Sequence, residues 1–359
     1  MNNTMHKELL SEQKFRNKIT VLSFVASILV IYIHADNMTA YSLTEKSEEL
    51  AGFCYSLEMF FNRFSAIAVP IFFIISGILF YRTFDIHKLW DKYRSRFSSI
   101  LIPYLIWASL YYAYFIIVTR IPAIVNVMNS AGPVEISISN YFNWLWSGAY
   151  YTLWFLKNLI VFILLTPIIW VALNNHIKKI PTGLLVLVLL YLVSRWRIYG
   201  IILPEGMLYY LIGSYIGLNC KNGILISNKY VSYASVVYIL AIVLTGFSYW
   251  NLGLELLFYG ALWYAIDLLI DARELPWYMY ISFFTYVSHD IVLQGIKKIC
   301  LKLLGKDALW ALLSYILIPL IVEIILIWVA YIMKRFLPKL WKLLIGGRNV
   351  GIRLGIEEI

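Results

Sequence analysis

Charge is scarce in this chain: 14% of its 359 residues are Asp, Glu, Lys or Arg, where a soluble domain carries about 25%. An ordinary soluble globule is thereby excluded. Cysteine is rarer still, with 3 residues, Cys54, Cys220 and Cys300. Thiols so few and far apart give neither a disulfide framework nor the ligand spacing of a metal site. The usual signatures of soluble enzymes are also missing: no phosphate-binding glycine loop, no G-x-S-x-G elbow and no H-E-x-x-H pair. No internal repeat is evident, which disfavours the common secondary transporters built from two related halves. The net charge of +10 does not point to nucleic acid, because the cations are scattered over loops and no nucleic-acid-binding fold accompanies them. It reflects membrane topology and anionic lipid.

What the chain has instead is apolar length. It is 61% hydrophobic, its mean hydropathy is +0.75, and apolar runs of roughly 20 residues, as spanning helices require, recur from end to end. They predict ten spans, at 18–37, 63–81, 99–118, 152–173, 183–200, 206–219, 231–248, 252–270, 277–295 and 309–333. The sixth is short, follows Pro204 and is broken by Gly206, Gly213 and Gly217. The predicted fold is therefore all-α, a polytopic integral membrane bundle of about ten transmembrane helices. It forms a single domain over 1–359, with short tails at about 1–17 and 334–359. The first span follows a polar, basic N-terminus and is too long for a signal-peptide core, so it reads as a retained anchor. With the N-terminus inside, about two thirds of the Lys and Arg residues fall on the cytoplasmic side, and both termini are predicted cytoplasmic. Lys297, Lys298, Lys302 and Lys306 are the main exceptions, in one predicted outer loop. The outer loops around 38–62 and 119–151 are the longest connections, and long loops in compact proteins are often functional. The aromatic cluster Tyr141–Trp146 reads as an interfacial belt rather than a sugar-stacking platform.

Polar residues inside the spans carry the functional information, because ionisable groups in a bilayer are costly and mark pathways or chemistry. On the first span Arg16, Ser23, Ser27 and His34 are spaced by seven, four and seven residues. At about 100° per residue they fall within roughly 40° of one another, on one stripe about 27 Å long. Two readings of this stripe stand: a substrate route ending at His34, or an interfacial histidine above serines bonded back to their own helix. Ser282, Thr285 and His289 make a second stripe on the ninth span, with His289 either functional or a structural hydrogen-bonding histidine. Lys157, Glu255, Asp267, Asp290 and Glu323 each need a partner or a cavity. Lys157, after Trp154-Phe155-Leu156, is placed to neutralise a carboxylate on a neighbouring helix. Glu323 has nothing polar near it in sequence and is expected to be structural. Ser76-Gly77 favours close helix packing. The cytoplasmic loop 82–98 is the most basic segment. Its Arg94 and Arg96 read either as a topology signal or as a site for a phosphorylated cytosolic cofactor, since Arg grips phosphate with two prongs.

In this order the motifs resemble the acyltransferase-3 family of integral membrane acyltransferases. Ser23 to His34 is similar to that family's opening helix, which ends in its essential histidine. Pro70-Ile71-Phe72-Phe73-Ile74-Ile75-Ser76-Gly77 is similar to its P-x-F-F-x-x-S-G stretch. Arg94 and Arg96, leading to Ile102-Pro103-Tyr104, resemble its basic loop, and Leu153-Trp154-Phe155-Leu156 its L-W-F-L opening. Gly206 to Gly217 resembles its short glycine-containing span, and Ser282-Phe283-Phe284-Thr285-Tyr286-Val287-Ser288-His289 its S-F-F-x-Y-x-x-H segment. The resemblance covers nearly the whole chain. It departs at two places: Ser23 stands where the family commonly has Arg or Lys, and Ser99 where the second Arg of an R-x-x-R loop falls. Arg16, two turns below Ser23, is expected to compensate for the first.

The resemblance implies a membrane-bound O-acyltransferase of a bacterial plasma membrane. It would move an acetyl group from cytosolic acetyl-CoA to a hydroxyl of an extracytoplasmic or lipid-linked cell-surface glycan, without a metal. His34 would be the catalytic base, and Arg94, Arg96, Arg16, Ser23 and Ser27 would form the donor site. Trp154, Lys157, His289 and Ser76 would be substrate-binding or structural residues. The expected partners are the lipid bilayer, the acyl-CoA donor and the hydroxyl acceptor, with no nucleic acid. The competing reading is a transporter or flippase for a small polar solute or amino acid, which also needs polar stripes, intramembrane charge and a broken span.

Overall fold

A computed structural model describes residues 3–37, 49–121, 133–147, 151–175, 182–196, 206–247, 251–305 and 307–348. Pro204 and Lys306, both used in the sequence reading, lie outside these residues. Among the described residues the structure is helical, with no strand. Among the described residues, four helical stretches are long and apolar enough to cross a membrane: Met5–His34, Glu49–Tyr81, Ile86–Val118 and Ala308–Phe336. The pair Trp154–Leu164 and Thr166–Leu173 makes a fifth if it is one broken span. The other predicted spans also contain helices, but Thr182–Trp196, Met207–Asn219, Lys229–Leu244 and Leu252–Ala265 have only 13 to 16 residues. At about 1.5 Å per residue each rises less than the ~30 Å of a hydrocarbon core. Ser282–Leu304 has 23 residues but is interrupted by His289, Asp290, Gln294, Lys297 and Lys298. By length and composition, then, four or five helical stretches among the described residues can cross a membrane, and the chain is a helical membrane protein.

The chain divides into two compact units. The first holds residues 1–26, 67–87 and 165–280. Its centre is the packing of α3 (Ala68–Tyr81) on α10 (Met207–Asn219). Small residues let these backbones touch. A Cβ at Gly213 would collide with the Ile74 carbonyl, and one at Gly77 with the Tyr210 carbonyl. The Ser76-Gly77 motif therefore packs helices, as small residues do between spans. In the same unit α11 (Lys229–Leu244) and α12 (Leu252–Ala265) pack together. The side chains of Asn228 and Asn251 cap their N-terminal N–H groups. The first helix, α1 (Asn3–His34), contributes its basic part here. Lys14 and Lys18 lie 3.0 and 3.1 Å from the buried carboxylate of Asp267. Arg82 grips Glu12 at 2.6 and 3.0 Å, and Asn17 donates to the carbonyls of Asp271 and Arg273.

The second unit holds residues 27–66, 88–164 and 281–359. Its α2 (Glu49–Ser65) lies within the stretch expected as an outer loop. Ala51 and Cys54 are buried with Ala308, Ala311 and Leu312 of α14 (Ala308–Phe336). The loop reading is thus corrected from residue 49 onward: one face of the segment is small and apolar and is satisfied only as a packed helix. Glu58, within that stretch, is fully buried and accepts from the Asn37 N–H at 2.9 Å. α5 (Ile102–Val118), α13 (Ser282–Leu304) and the short α15 (Pro338–Leu344) are tied by Phe284, whose ring meets Trp107 and Trp341. α6 (Ile138–Ser147) packs on α5, with the Trp144 indole donating to the Ala108 carbonyl at 3.2 Å. Part of the aromatic belt therefore packs half-buried on α5, while Phe142 and Trp146 stay exposed.

Candidate active site

The two polar stripes meet at their histidines. His34 ends α1, and His289 lies on α13. Their rings stack with centroids 5.4 Å apart and planes 25° from parallel. His34 is half-buried and His289 fully buried. His289 Nδ1 faces two carbonyls, Tyr286 at 2.8 Å and Thr285 at 3.2 Å. A carbonyl only accepts, so Nδ1 carries the proton and the lone pair is left on Nε2. That nitrogen is buried and has no hydrogen-bond partner among the described residues. An imidazole held in one tautomer with its basic nitrogen free is equipped to take or pass a proton.

Two motifs build this corner. Tyr286, three residues before His289, donates its hydroxyl to the Thr152 carbonyl at 2.7 Å. Phe155, on α7 (Trp154–Leu164), packs edge-on against the Tyr286 ring at 5.5 Å. The L-W-F-L opening and the S-F-F-x-Y-x-x-H segment are thereby joined. On the same helix Thr285 donates to the buried carboxylate of Glu323 at 3.2 Å. Glu323, without polar neighbours in sequence, has one in space. The open end of α1 is closed by Lys297, whose ammonium donates to the Asp36 carbonyl at 2.6 Å and the His34 carbonyl at 3.3 Å. Lys297 is therefore not a loop cation. It lies on α13 and caps the helix that carries His34, where a positive charge complements the helix dipole.

The basic loop forms a second feature of this unit. α4 (Leu89–Arg96) continues into a π-helical turn over Phe97–Leu101. Arg94 is exposed and Arg96 half-buried. A cavity of about 470 Å³ is lined by Trp90, Asp91, Tyr93, Arg94 and Phe97. An apolar cavity of about 720 Å³ lies in the first unit, lined by residues such as Ile74, Leu187, Ile212 and Trp263. No histidine lines it, so the histidine corner is the better chemical candidate although the apolar cavity is larger.

Residues 16–341 match the sequence model of the acyltransferase-3 family, described as an acyltransferase domain. The chain belongs to the acyltransferase-3 family. No curated protein and no solved structure matches it. Acyl transfer at a membrane is thus the general activity that the family supports for this chain. Among the described residues no three His, Cys, Asp or Glu side chains cluster to hold a metal ion.

The other expected site residues fall as follows. Ser27 is fully buried on α1 in the unit of the histidine pair, while Ser23 is half-buried in the first unit. Arg16 is exposed and turns back to Glu12 at 3.4 Å, one turn toward the N-terminus. Its proposed reach toward Ser23 is not what the structure places there, because helix side chains lean toward the N-terminus. Lys157 meets no carboxylate among the described residues and donates instead to the Trp146 carbonyl at 3.2 Å. Trp154 is half-buried at the start of α7. Sequence reasoning missed Asn37 and placed Lys297 in an outer loop without a role. The one available signal for Lys297 was its place on the wrong side of the positive-inside pattern.

Proposed function

We propose that the protein transfers an acetyl group from cytosolic acetyl-coenzyme A to a hydroxyl of an extracytoplasmic or lipid-linked cell-surface glycan, with His34 as general base. The observation that carries this reading is the histidine pair, stacked at 5.4 Å in a chain of the acyltransferase-3 family. A sugar hydroxyl is a weak nucleophile at neutral pH, and a neutral imidazole takes its proton as the oxygen attacks. In this step a C–O bond forms to the thioester carbonyl carbon and the C–S bond breaks. The hydroxyl proton passes to His34 and then to the coenzyme A thiolate. His34 is preferred to His289 as the base because it is only half-buried, whereas His289 is enclosed. His289, fixed by its Nδ1–H, is the neighbouring imidazole that positions or relays. Arg94 and Arg96 hold the donor phosphates, and Ser27 lines the route to His34.

Ten spans in a bacterial plasma membrane, with both termini cytoplasmic, complete the proposal. Three segments assigned to the inner side support that orientation: residues 12–18, Arg82 and residues 271–273 meet in the first unit. The experiment is mass spectrometry of surface glycans from cells with the wild-type protein, without it, and with His34→Ala. Acetylated glycan should depend on wild-type protein alone, and acetylation independent of His34 overturns the assignment of the base. A carrier is favoured by one feature, the break at Leu165 between α7 and Thr166–Leu173, since broken helices line transport sites. Coenzyme A separates the two. It should raise the melting temperature of an enzyme by linkage and leave a carrier unaffected.

A further inference from the structure

Beyond residue 341, where the family match ends, the chain turns sharply. Gly346 and Gly347 both have left-handed backbone angles, φ 66° and 68°, which residues with a side chain rarely adopt. The Gly347 N–H donates to the Lys342 carbonyl at 2.7 Å and the Gly346 N–H to Leu343 at 3.2 Å, closing the turn. Gly346 then lies so close to the basic loop that a Cβ there would sit 2.5 Å from the Ser99 carbonyl oxygen. The preceding helix α15 is itself anchored, by the Trp107 indole donating to the Leu344 carbonyl at 3.1 Å. The tail is seated on the loop by packing at Gly346 and held to α5 by the Trp107 bond.

The turn brings Arg348 to a defined place. Its guanidinium lies 3.6 Å over the Phe283 ring and donates to the Ile345 carbonyl at 2.6 Å. No carboxylate pairs with it among the described residues. Burial, and after it the nearby Arg96 guanidinium, push Arg348 down to about 9. On the π-helical turn that follows Arg96, where Gly346 packs, stands Ser99, whose Oγ is buried without a hydrogen-bond partner among the described residues. A half-buried cation beside a second cation, with an unused hydroxyl on the same turn, is an arrangement that a bound anion would complete. It also stands where the loop lacks its second arginine, at Ser99.

We propose that Arg348, Arg96 and Ser99 form a binding site for a phosphate ester, with Arg348 supplying from the tail the charge that the loop lacks at Ser99. This rests on the donor reading above for its physiological ligand, the phosphate groups of coenzyme A. An anionic lipid headgroup offers the same chemistry from another source.

The test uses full-length protein in zwitterionic nanodiscs. Coenzyme A and inorganic pyrophosphate are titrated against wild type, Arg348→Gln and Arg348→Lys, and binding and melting temperature are read together. Both probes should bind wild type, with affinity falling tenfold or more in Arg348→Gln and by less in Arg348→Lys, which keeps the charge but not the fork. Without ligand, Arg348→Gln should melt no lower than wild type, because the fold disfavours the charge it removes. Equal affinity for both probes in a folded Arg348→Gln overturns the site and leaves the donor reading standing. Pyrophosphate binding that depends on Arg348, with no coenzyme A binding, supports the site and overturns the donor reading. If Arg348→Gln does not fold, Ser99→Ala decides: a several-fold loss of pyrophosphate affinity supports the site and none overturns it. Displacement of pyrophosphate by phosphatidylglycerol in the nanodisc, but not by coenzyme A, assigns the site to a lipid headgroup and overturns its donor role.

Discussion

The two units treat charge differently. In the first, charge meets charge: Lys14 and Lys18 on Asp267, Arg82 and Arg16 on Glu12, Arg273 on Asp271. In the second, the cations that can be followed sit on backbone carbonyls: Lys157 on Trp146, Lys297 on Asp36 and His34, Arg348 on Ile345. His289 likewise uses carbonyls and leaves Nε2 without a partner among the described residues. An ion pair is mutually satisfied and has little left to offer a ligand. A cation on a carbonyl keeps most of its charge, and an imidazole on a carbonyl keeps its lone pair. The first unit therefore reads as scaffold and the second as the place where chemistry is left available.

The largest effect should come from the second unit. His34→Ala should lower acyl transfer by about 10²–10⁴-fold, the usual contribution of a general base, with a melting temperature close to wild type. Purified protein assayed with acetyl-coenzyme A and a glycan acceptor checks both. Wild-type turnover would move the base to His289. The next effect should come from the first unit and show in stability. Asp267→Asn leaves the ammonium of Lys18, buried beside it, without its counter-charge. Breaking a buried pair in this way costs about 3–5 kcal/mol, read as a lowered denaturation midpoint. Transfer per folded molecule should be nearly unchanged. A variant as stable as wild type but inactive would reverse the roles given to the two units. Smaller again, Gly213→Ala should cost about 1–3 kcal/mol by overpacking, since its Cβ meets the Ile74 backbone, which cannot yield as a side chain tip does.

Legibility in the sequence followed the range of the interaction. The α3–α10 contact was foreshadowed by Ser76-Gly77 and by Gly206, Gly213 and Gly217, because a small residue on an apolar helix has a local meaning. Both histidines were visible because each ends a stripe on its own helix. Their stacking was not, since 255 positions separate them (289 − 34). Lys297 was misplaced in a loop for the same reason: its partners are 261 and 263 residues away. The pairing of Arg16 was not visible for a different cause. The stripe was drawn by angle alone, and the lean of helical side chains toward the N-terminus, which gives Arg16 to Glu12, was left out. α2 was hidden because its packed face is made of Ala51 and Cys54, too small to register as an apolar run.

The smallest expected effect sharpens the contrast most, because it asks whether a carbonyl-bound cation in the second unit is there for stability or for position. Lys297 closes the C-terminal end of α1, where the last carbonyls lack partners within the helix. A cation at that end contributes about 0.3–1 kcal/mol through the helix dipole. Lys297→Met keeps the apolar stem and removes the ammonium, so stability should fall by about 1 kcal/mol or less. His34 is the last residue of that helix, and its own carbonyl is one of the two that Lys297 holds. Freed, the end of α1 should fray and the imidazole should lose its register against His289. Turnover should then fall severalfold while coenzyme A affinity stays at the wild-type value, because the donor phosphates are held elsewhere. Lys297→Arg, which restores the charge and the donors, should recover most of the loss. A turnover that tracks only the small change in melting temperature would make Lys297 an ordinary helix cap. A loss of donor affinity instead would place the ammonium in the donor route.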